Sequence, residues 1–248
     1  MAAEIIGIVT DPGSSLNPER ARRRGVLMLN PEEPLEPQYH KFLEFYDRLL
    51  SLHASPNLCP MYDAAQQAAA NVGKNLVQVV DTGLGSAGLG SAALAAAAIL
   101  GQGGGEAAVL AEIERMRREG LFYLATHDLS RLTENKMIPP LASHIGQALH
   151  LWAILHLKNG SFHVAPVPVA QDQVLPHLAH LLEKRFGKRR VGIRMLFGDL
   201  PEDMRDRAKE AFTQRLRLES GALAPMDPTA RARVGDHALA VFAYPTKG

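Results

Sequence analysis

The sequence predicts an α/β fold: an N-terminal, mostly parallel sheet flanked by helices, followed by a smaller α+β C-terminal domain. Three observations carry this. Short apolar runs alternate with amphipathic or Ala-rich stretches through the first part of the 248 residues. One run, Val77-Gln78-Val79-Val80, stops at Asp81 and enters the turn Gly83-Leu84-Gly85-Ser86-Ala87-Gly88 and then an Ala-rich stretch, a strand–turn–helix unit with a ligand edge where the strand ends. Beyond residue 150 the order changes to a hairpin followed by mixed elements, which points to a second domain.

Residues 5–9 read as a buried strand ending in Thr10-Asp11, and Pro12-Gly13-Ser14-Ser15 is turn chemistry. Asn17 caps a helix whose first position is Pro18. Residues 26–29 form a second strand, and the three prolines within 30–37 imply a surface loop. The segment 38–49 places Phe42, Phe45, Tyr46 and Leu49 on one helical face. Strands at 50–54 and 76–80 bracket a helix over 60–71, and the Ala-rich helix is expected over 91–100. The glycines at 101–105 break the chain before a helix over 106–119, and 121–125 reads as a fifth strand. A helix starts near Asp128, and Pro139-Pro140 opens another that ends near Leu149. In the second part, strands at 152–157 and 161–169 flank the turn Lys158-Asn159-Gly160. Helices at 171–185 and 201–215 and strands at 191–197 and 238–244 complete it. The expected domains are 1–148 and 149–248.

Net charge is +1, from 27 basic and 26 acidic residues, so no basic excess exists to drive nucleic-acid binding. The single cysteine, Cys59, rules out an intrachain disulfide and a cysteine-based zinc site. The chain runs directly into a strand with no charged leader, and its longest apolar run, 92–100, is too short to span a bilayer. A soluble, cytoplasmic protein with no metal and no membrane insertion is expected.

The candidate chemistry is sparse. Gly83 to Gly88 spells GxGxxG, whose glycines let backbone N–H groups approach a pyrophosphate. Against that, Asp81 stands two residues before the first glycine and would repel phosphate, and the unit is the fourth strand of its sheet. A GxSxG elbow fails because Leu84 occupies the first glycine position before Ser86. Of the ten histidines, His177 and His180 share a helical spacing but lack the partners of a metal motif. The segment 52–65 leaves a strand and enters a helix at Pro60. Ser55, Asn57, Cys59 and the free N–H groups of the helix start would suit a carboxylate, as would an ordinary loop.

Taken in order, several motifs resemble the DegV family of fatty-acid-binding proteins. Ile8-Val9-Thr10-Asp11-Pro12-Gly13-Ser14-Ser15-Leu16 resembles its opening strand and Thr-Asp-Ser turn. Val79-Val80-Asp81-Thr82, followed by Ser86-Ala87-Gly88-Leu89-Gly90, resembles its Val-Val-Asp-Ser strand and Gly-rich helix start. Lys136 falls where the arginine of its Gly-Gly-Arg-Ile segment stands, Ala153-Ile154-Leu155 resembles its Pro-Ile-Leu strand, and Gly235 with Ala238-Leu239 resembles its closing His-Thr-Gly-Pro-Gly-Ala-Leu run.

The resemblance implies a non-enzymatic carrier that holds a long-chain fatty acid between two domains and presents it to a fatty acid kinase, with the acid as ligand and no cofactor. The hydroxyl-bearing turns depart from the pattern. Ser-Gly-Thr-Tyr reads Cys59-Pro60-Met61-Tyr62, Thr-Ser-Gln-Pro-Ser reads Pro34-Leu35-Glu36-Pro37-Gln38, and His-Thr-Gly-Pro-Gly reads Arg233-Val234-Gly235-Asp236-His237. The expected fatty-acid-binding residues are therefore Ser55, Asn57, Cys59, Arg233 and His237, with guanidinium and amide donors in place of the lost hydroxyls. Two other readings stay open: a nucleotide-dependent enzyme using the Gly83 turn, and an interaction module that has lost lipid binding.

Overall fold

The computed structural model describes residues 4–139 and 151–246. The chain divides between Arg118 and Glu119 into two compact units. In the first, β1 (Ile6–Thr10), β2 (Val26–Met28), β3 (Arg48–His53) and β4 (Val77–Asp81) form a sheet in the order β2-β1-β3-β4, and every pairing is parallel. The order reverses between β1 and β3, so the carboxyl ends of those two strands flank the crevice where open α/β sheets take ligands.

The helices of this unit are α1 (Pro18–Arg23), α2 (Leu35–Leu43), α3 (Met61–Val72), α4 (Ser86–Gly101) and α5 (Glu106–Glu119). Asn17 accepts the Arg20 N–H at 3.1 Å and Pro18 occupies the first turn, the start signal legible in the sequence. On one sheet face Val9, Leu49 and Val77 pack with Tyr39 of α2 and Ala68 and Ala69 of α3. α4 packs against β1, burying Ala87, Leu89, Ala92, Ala93 and Ala96. It begins at Ser86 rather than near residue 91, because Gly85 takes the extended N-cap conformation and Gly88 and Gly90 continue the helix.

α2 starts three residues earlier than the periodicity predicts and stops at Leu43, and Arg48 opens β3. The burial of Leu49, Leu50 and Leu52 decides this, since a run buried on both faces serves a central parallel strand better than an amphipathic helix.

The second unit holds β5 (Leu121–Thr126), α6 (Ser130–Glu134), β6 (Ala153–Lys158), β7 (Ser161–Val164), α7 (Val174–Phe186), β8 (Arg190–Phe197), α8 (Asp203–Arg215), β9 (Arg217–Pro225), α9 (Pro228–Val234) and β10 (Ala238–Pro245). Its sheet order is β7-β6-β5-β10-β8-β9. Pairing is antiparallel throughout except for β8 with β9, which α8 connects as a parallel crossover. Asn159 and Gly160 both have positive φ, 51° and 73°, which suits the two-residue hairpin between β6 and β7. α7 and α8 cover one face through Leu178, Leu182, Phe186 and Phe212, against Trp152 and Phe197.

One expectation changes here. The strand at 121–126, read as fifth in the parallel sheet, pairs antiparallel with β6 and β10 in the second sheet. The expected domain boundary at 148/149 and the helix opened by Pro139-Pro140 lie outside the described residues. The division between the compact units falls at Arg118/Glu119, because β5 finds its hydrogen-bond partners in β10, more than a hundred residues downstream. β9 and α9 have no counterpart in the sequence reading. β9 is an edge strand with mostly exposed residues and little apolar alternation, whereas α9 carries a legible start: Asp227 accepts the Ala230 N–H at 3.0 Å ahead of Pro228.

Candidate functional site

At the carboxyl ends of β1 and β3 the first unit buries a continuous chain of polar side chains. His53 Nδ1 lies 2.6 Å from Asp11 Oδ2 and His53 Nε2 lies 2.8 Å from Ser51 Oγ. Ser51 Oγ lies 2.8 Å from the Tyr39 hydroxyl. Ser51 and His53 project to the same side of β3 because they are two residues apart.

One proton arrangement satisfies every donor. Tyr39 donates to Ser51, Ser51 donates to Nε2, and Nδ1–H donates to the Asp11 carboxylate. The second carboxylate oxygen accepts the Gly13 N–H at 2.6 Å. Burial pushes the Tyr39 phenol up to about 12; the Ser51 hydrogen bond offsets this in part and the Asp11 charge reinforces it.

The order Ser51–His53–Asp11 is that of a nucleophilic triad. Exposure decides its use: Ser51, His53 and Tyr39 are 0% exposed and Asp11 1%. Tyr39 closes Ser51 Oγ from the core side, so the chain of bonds is a structural tie.

The backbone at this edge is held by threonines. Thr10 Oγ1 donates to Leu52 O at 2.9 Å, and Thr82 Oγ1 donates to His53 O at 2.8 Å, joined there by the Thr82 N–H at 3.1 Å. Nearby, Ser15 Oγ and Ser86 Oγ share a 2.7 Å hydrogen bond.

The Gly83 turn is occupied by its own chain. Asp81 Oδ1 accepts the Gly83 N–H at 2.8 Å and Thr82 Oγ1 accepts the Leu84 N–H at 3.3 Å. A Cβ on Gly83 would stand 2.5 Å from Arg117 Cδ, so the Arg117 side chain lies against this turn. The Gly83 and Leu84 N–H groups are thus bonded within the chain's own turn rather than left for a phosphate.

Ser55, Asn57 and Cys59 lie together in the turn 54–60 between β3 and α3, in the first unit. Ser55 is buried, Cys59 half-buried and Asn57 exposed. The Ser55 carbonyl accepts the Leu58 N–H at 2.7 Å and the Cys59 N–H at 3.1 Å. Pro60 precedes α3 with no side-chain cap, so the first N–H groups of that helix face the same turn.

Arg233 and His237 belong to the second unit. Arg233 sits in the last turn of α9. Its Nε, like that of Arg231, is buried with no hydrogen-bond partner among the described residues. His237 is exposed; its Nδ1 donates to Asp199 O at 2.6 Å and its ring stacks on His127 at 5.3 Å between centroids. His127 in turn meets the edge of buried Trp152 at 5.6 Å. Next to it, burial pushes the Asp128 carboxyl up, but hydrogen bonds from the Ser130 hydroxyl and N–H, with the nearby charges of His127 and Arg131, hold it below its ordinary value.

The sequence reading missed His127, Trp152, Asp11 and His53 as partners. The Thr126-His127-Asp128 run at a strand end and the Thr10-Asp11 run were the available signals. Lys136, with φ at 55°, borders a separate open groove of about 730 Å³ with Ser161 and His163 of β7. Among the described residues no three His, Cys, Asp or Glu side chains group to hold a metal ion, and no helix is long and apolar enough to cross a membrane.

The profile described as "uncharacterised protein, DegV family" matches residues 29–246. No curated protein matches the chain. The fold is similar to that of a DegV family protein from Thermus thermophilus whose structure describes fatty acid binding, with a TM-score of 0.86, 23% identity, and coverage of 98% of this chain and 100% of that one. A DegV family protein from Corynebacterium glutamicum gives a TM-score of 0.86 at 21% identity, covering 99% of each chain. A Thermotoga maritima protein described as revealing a fatty acid binding function gives 0.84 at 16% identity, over 98% of this chain and 100% of that one. At these identities the likeness establishes the fold.

Proposed function

The chain belongs to the DegV family, and on that premise we propose that it binds a long-chain fatty acid, with donors for the carboxylate drawn from Ser55, Asn57, Cys59, Arg233 and His237. The observation that carries this reading is Arg233 Nε, a cationic donor buried with no acceptor among the described residues. A buried donor left unsatisfied costs free energy, and an incoming carboxylate removes that cost through a charge-assisted bond.

The rest follows from the ligand's chemistry. Burying an alkyl tail gains ~0.8 kcal/mol per CH₂, roughly 10 kcal/mol gross for a long chain. Immobilisation offsets much of this gain, and a buried carboxylate without donors would offset more. The family's hydroxyl turn reads Cys59-Pro60-Met61-Tyr62 here, so an arginine and the uncapped start of α3 are the natural substitutes.

The role that fits is a carrier with no catalysis of its own, working in the cytoplasm and presenting the carboxylate to a fatty acid kinase. The burial of Ser51 in the Ser51–His53–Asp11 chain and the bonding of the Gly83 and Leu84 N–H groups within their own turn support it.

Organic extraction of the purified protein, followed by mass spectrometry, tests the ligand class. A stoichiometric long-chain acid is expected. Bound nucleotide, or an extract that stays empty after incubation with palmitate, overturns the proposal. Conversion of the bound acid to an acyl phosphate by a fatty acid kinase catalytic subunit and ATP tests the carrier role.

A further inference from the structure

We propose that His127 is a positioning residue for His237: its ring, seated against Trp152, fixes the plane of the His237 imidazole and with it the direction of the nitrogen left for a ligand. This deepens the fatty-acid reading and rests on it for the affinity arm of the test below.

Strand pairing brings the two imidazoles together. β5 and β10 run antiparallel with Thr126 opposite Ala238, so His127 and His237 are the next residues out from the same end of the ladder. The His237 Nδ1 lies 2.6 Å from Asp199 O, and because a carbonyl only accepts, the proton sits on Nδ1. Nε2 is then the ring nitrogen without a partner among the described residues. As the imidazolium, His237 donates a charge-assisted bond from Nε2–H to a carboxylate. One hydrogen bond holds one edge of a ring. The His127 imidazole, 5.3 Å away between centroids and within 28° of parallel, holds its face.

His127 can serve as a support because it is itself supported. Its ring meets Trp152 edge-on, at 5.6 Å and 84°. Trp152 is buried, and its backbone exchanges two hydrogen bonds with Val169, at 2.7 and 2.9 Å. Beside His127, Thr126 Oγ1 accepts the Asp128 N–H at 3.1 Å, and the Asp128 carboxylate accepts the Ser130 N–H at 2.9 Å. Across the stack, Asp236 O accepts the Asp199 N–H at 2.7 Å and Ala238 O accepts the Gly198 N–H at 2.8 Å, so the backbone flanking His237 is pinned as well. Two anchored loops thus carry two rings that meet face to face.

Removing the supporting ring while keeping its backbone is the direct probe. The ring current of His127 shifts the carbon-bound protons of the His237 imidazole, whose NMR signals are assigned by their loss in His237→Ala. His127→Ala is expected to move those signals toward the values of an unstacked imidazole. Palmitate affinity is expected to fall about fivefold, the scale of one aromatic pair. His127→Phe puts a ring back against Trp152 and is expected to restore both the shifted signals and the affinity.

A double variant separates positioning from a direct role. If His127 acts through His237, His127→Ala weakens palmitate binding no further in a His237→Ala background. Equal weakening with and without His237 overturns the inference, as do His237 signals unmoved by His127→Ala. Palmitate affinity unchanged by His237→Ala also overturns it, because the stack would then aim no ligand contact. If the wild-type protein fails to bind palmitate, the fatty-acid reading falls and the His237 signals alone decide the positioning role.

Discussion

The Tyr39 hydroxyl and Ser51 Oγ share a 2.8 Å hydrogen bond in a core where neither residue has exposed surface. Tyr39 comes from α2 and Ser51 from β3, so the bond fixes the helix on the sheet as well as ending the chain that begins at Asp11. Removing the hydroxyl in Tyr39→Phe leaves Ser51 its bond to His53 and deletes one acceptor contact. The expected loss is about 1 kcal/mol in denaturant unfolding.

The same burial has a signature in alkali. The phenol's pKa is raised from about 10 in the unfolded chain to about 12 in the folded one. The folded state therefore holds its proton where the unfolded state releases it. Tyr39's contribution is full below the unfolded value and is lost as pH rises through about 12. Ultraviolet titration of wild type minus Tyr39→Phe should show no ionisation of this phenol near its ordinary value. A difference spectrum that titrates there contradicts the burial argument.

His156 and His163 are cross-strand partners whose rings stack 5.2 Å apart. Burial lowers the His156 pKa first, and the nearby His163 and Lys158 lower it further. A depressed folded value means the unfolded chain binds the proton more readily. The stabilisation is thus present above the unfolded value, near 6.5, and is lost as pH falls through the folded one. His163→Ala removes one repulsive neighbour, so the His156 imidazole should titrate at higher pH by NMR and the acid sensitivity of unfolding should narrow. A titration curve unchanged by the substitution would show that His163 does not act on His156.

Arg233 carries the most direct test of the proposed ligand. If its buried Nε meets a carboxylate, Arg233→Ala loses a charge-assisted hydrogen bond. Such bonds contribute about 1.5–3 kcal/mol, so palmitate affinity should fall roughly 10- to 100-fold with the fold intact by circular dichroism. Arg233→Lys should recover only part, because an ammonium lacks the planar fork. Affinity equal to wild type in Arg233→Ala removes Arg233 from the site.

Gly198 makes possible the backbone approach that presents His237. Its N–H donates to Ala238 O at 2.8 Å, and a Cβ there would stand 2.0 Å from Asp236 O. The clashing atom belongs to the backbone and cannot swing away. Gly198→Ala should destabilise the protein by about 3 kcal/mol or more, read as a lowered unfolding midpoint. A near-neutral effect would mean that the 236–238 segment moves freely.

Much of this molecule was legible before any coordinates. Local signals placed α1, α3, α5, the strands around them and the hairpin at Asn159-Gly160, because capping residues, positive-φ turn residues and apolar runs act over a few positions. The shared order of weak motifs pointed to the family. The glycine turn illustrates the limit. Its spelling fits a phosphate loop, and only the structure shows that Asp81 and Thr82 take the Gly83 and Leu84 N–H groups.

The proposed site was legible only where its residues are neighbours, as Ser55, Asn57 and Cys59 are in the turn after β3. The Asp11–His53 tie spans 42 residues, and nothing local marks either residue as the other's partner.

The sequence by itself determined most of the strands and helices and the charge balance that argues against nucleic acid. The tertiary structure decided which strands pair, sending β5 to β10 rather than to the parallel sheet, and it joined Asp11, His53, Ser51 and Tyr39 into one buried chain. Sheet pairing and the satisfaction of buried polar groups are contests among segments far apart in the chain. They are settled by which partners meet once the core closes.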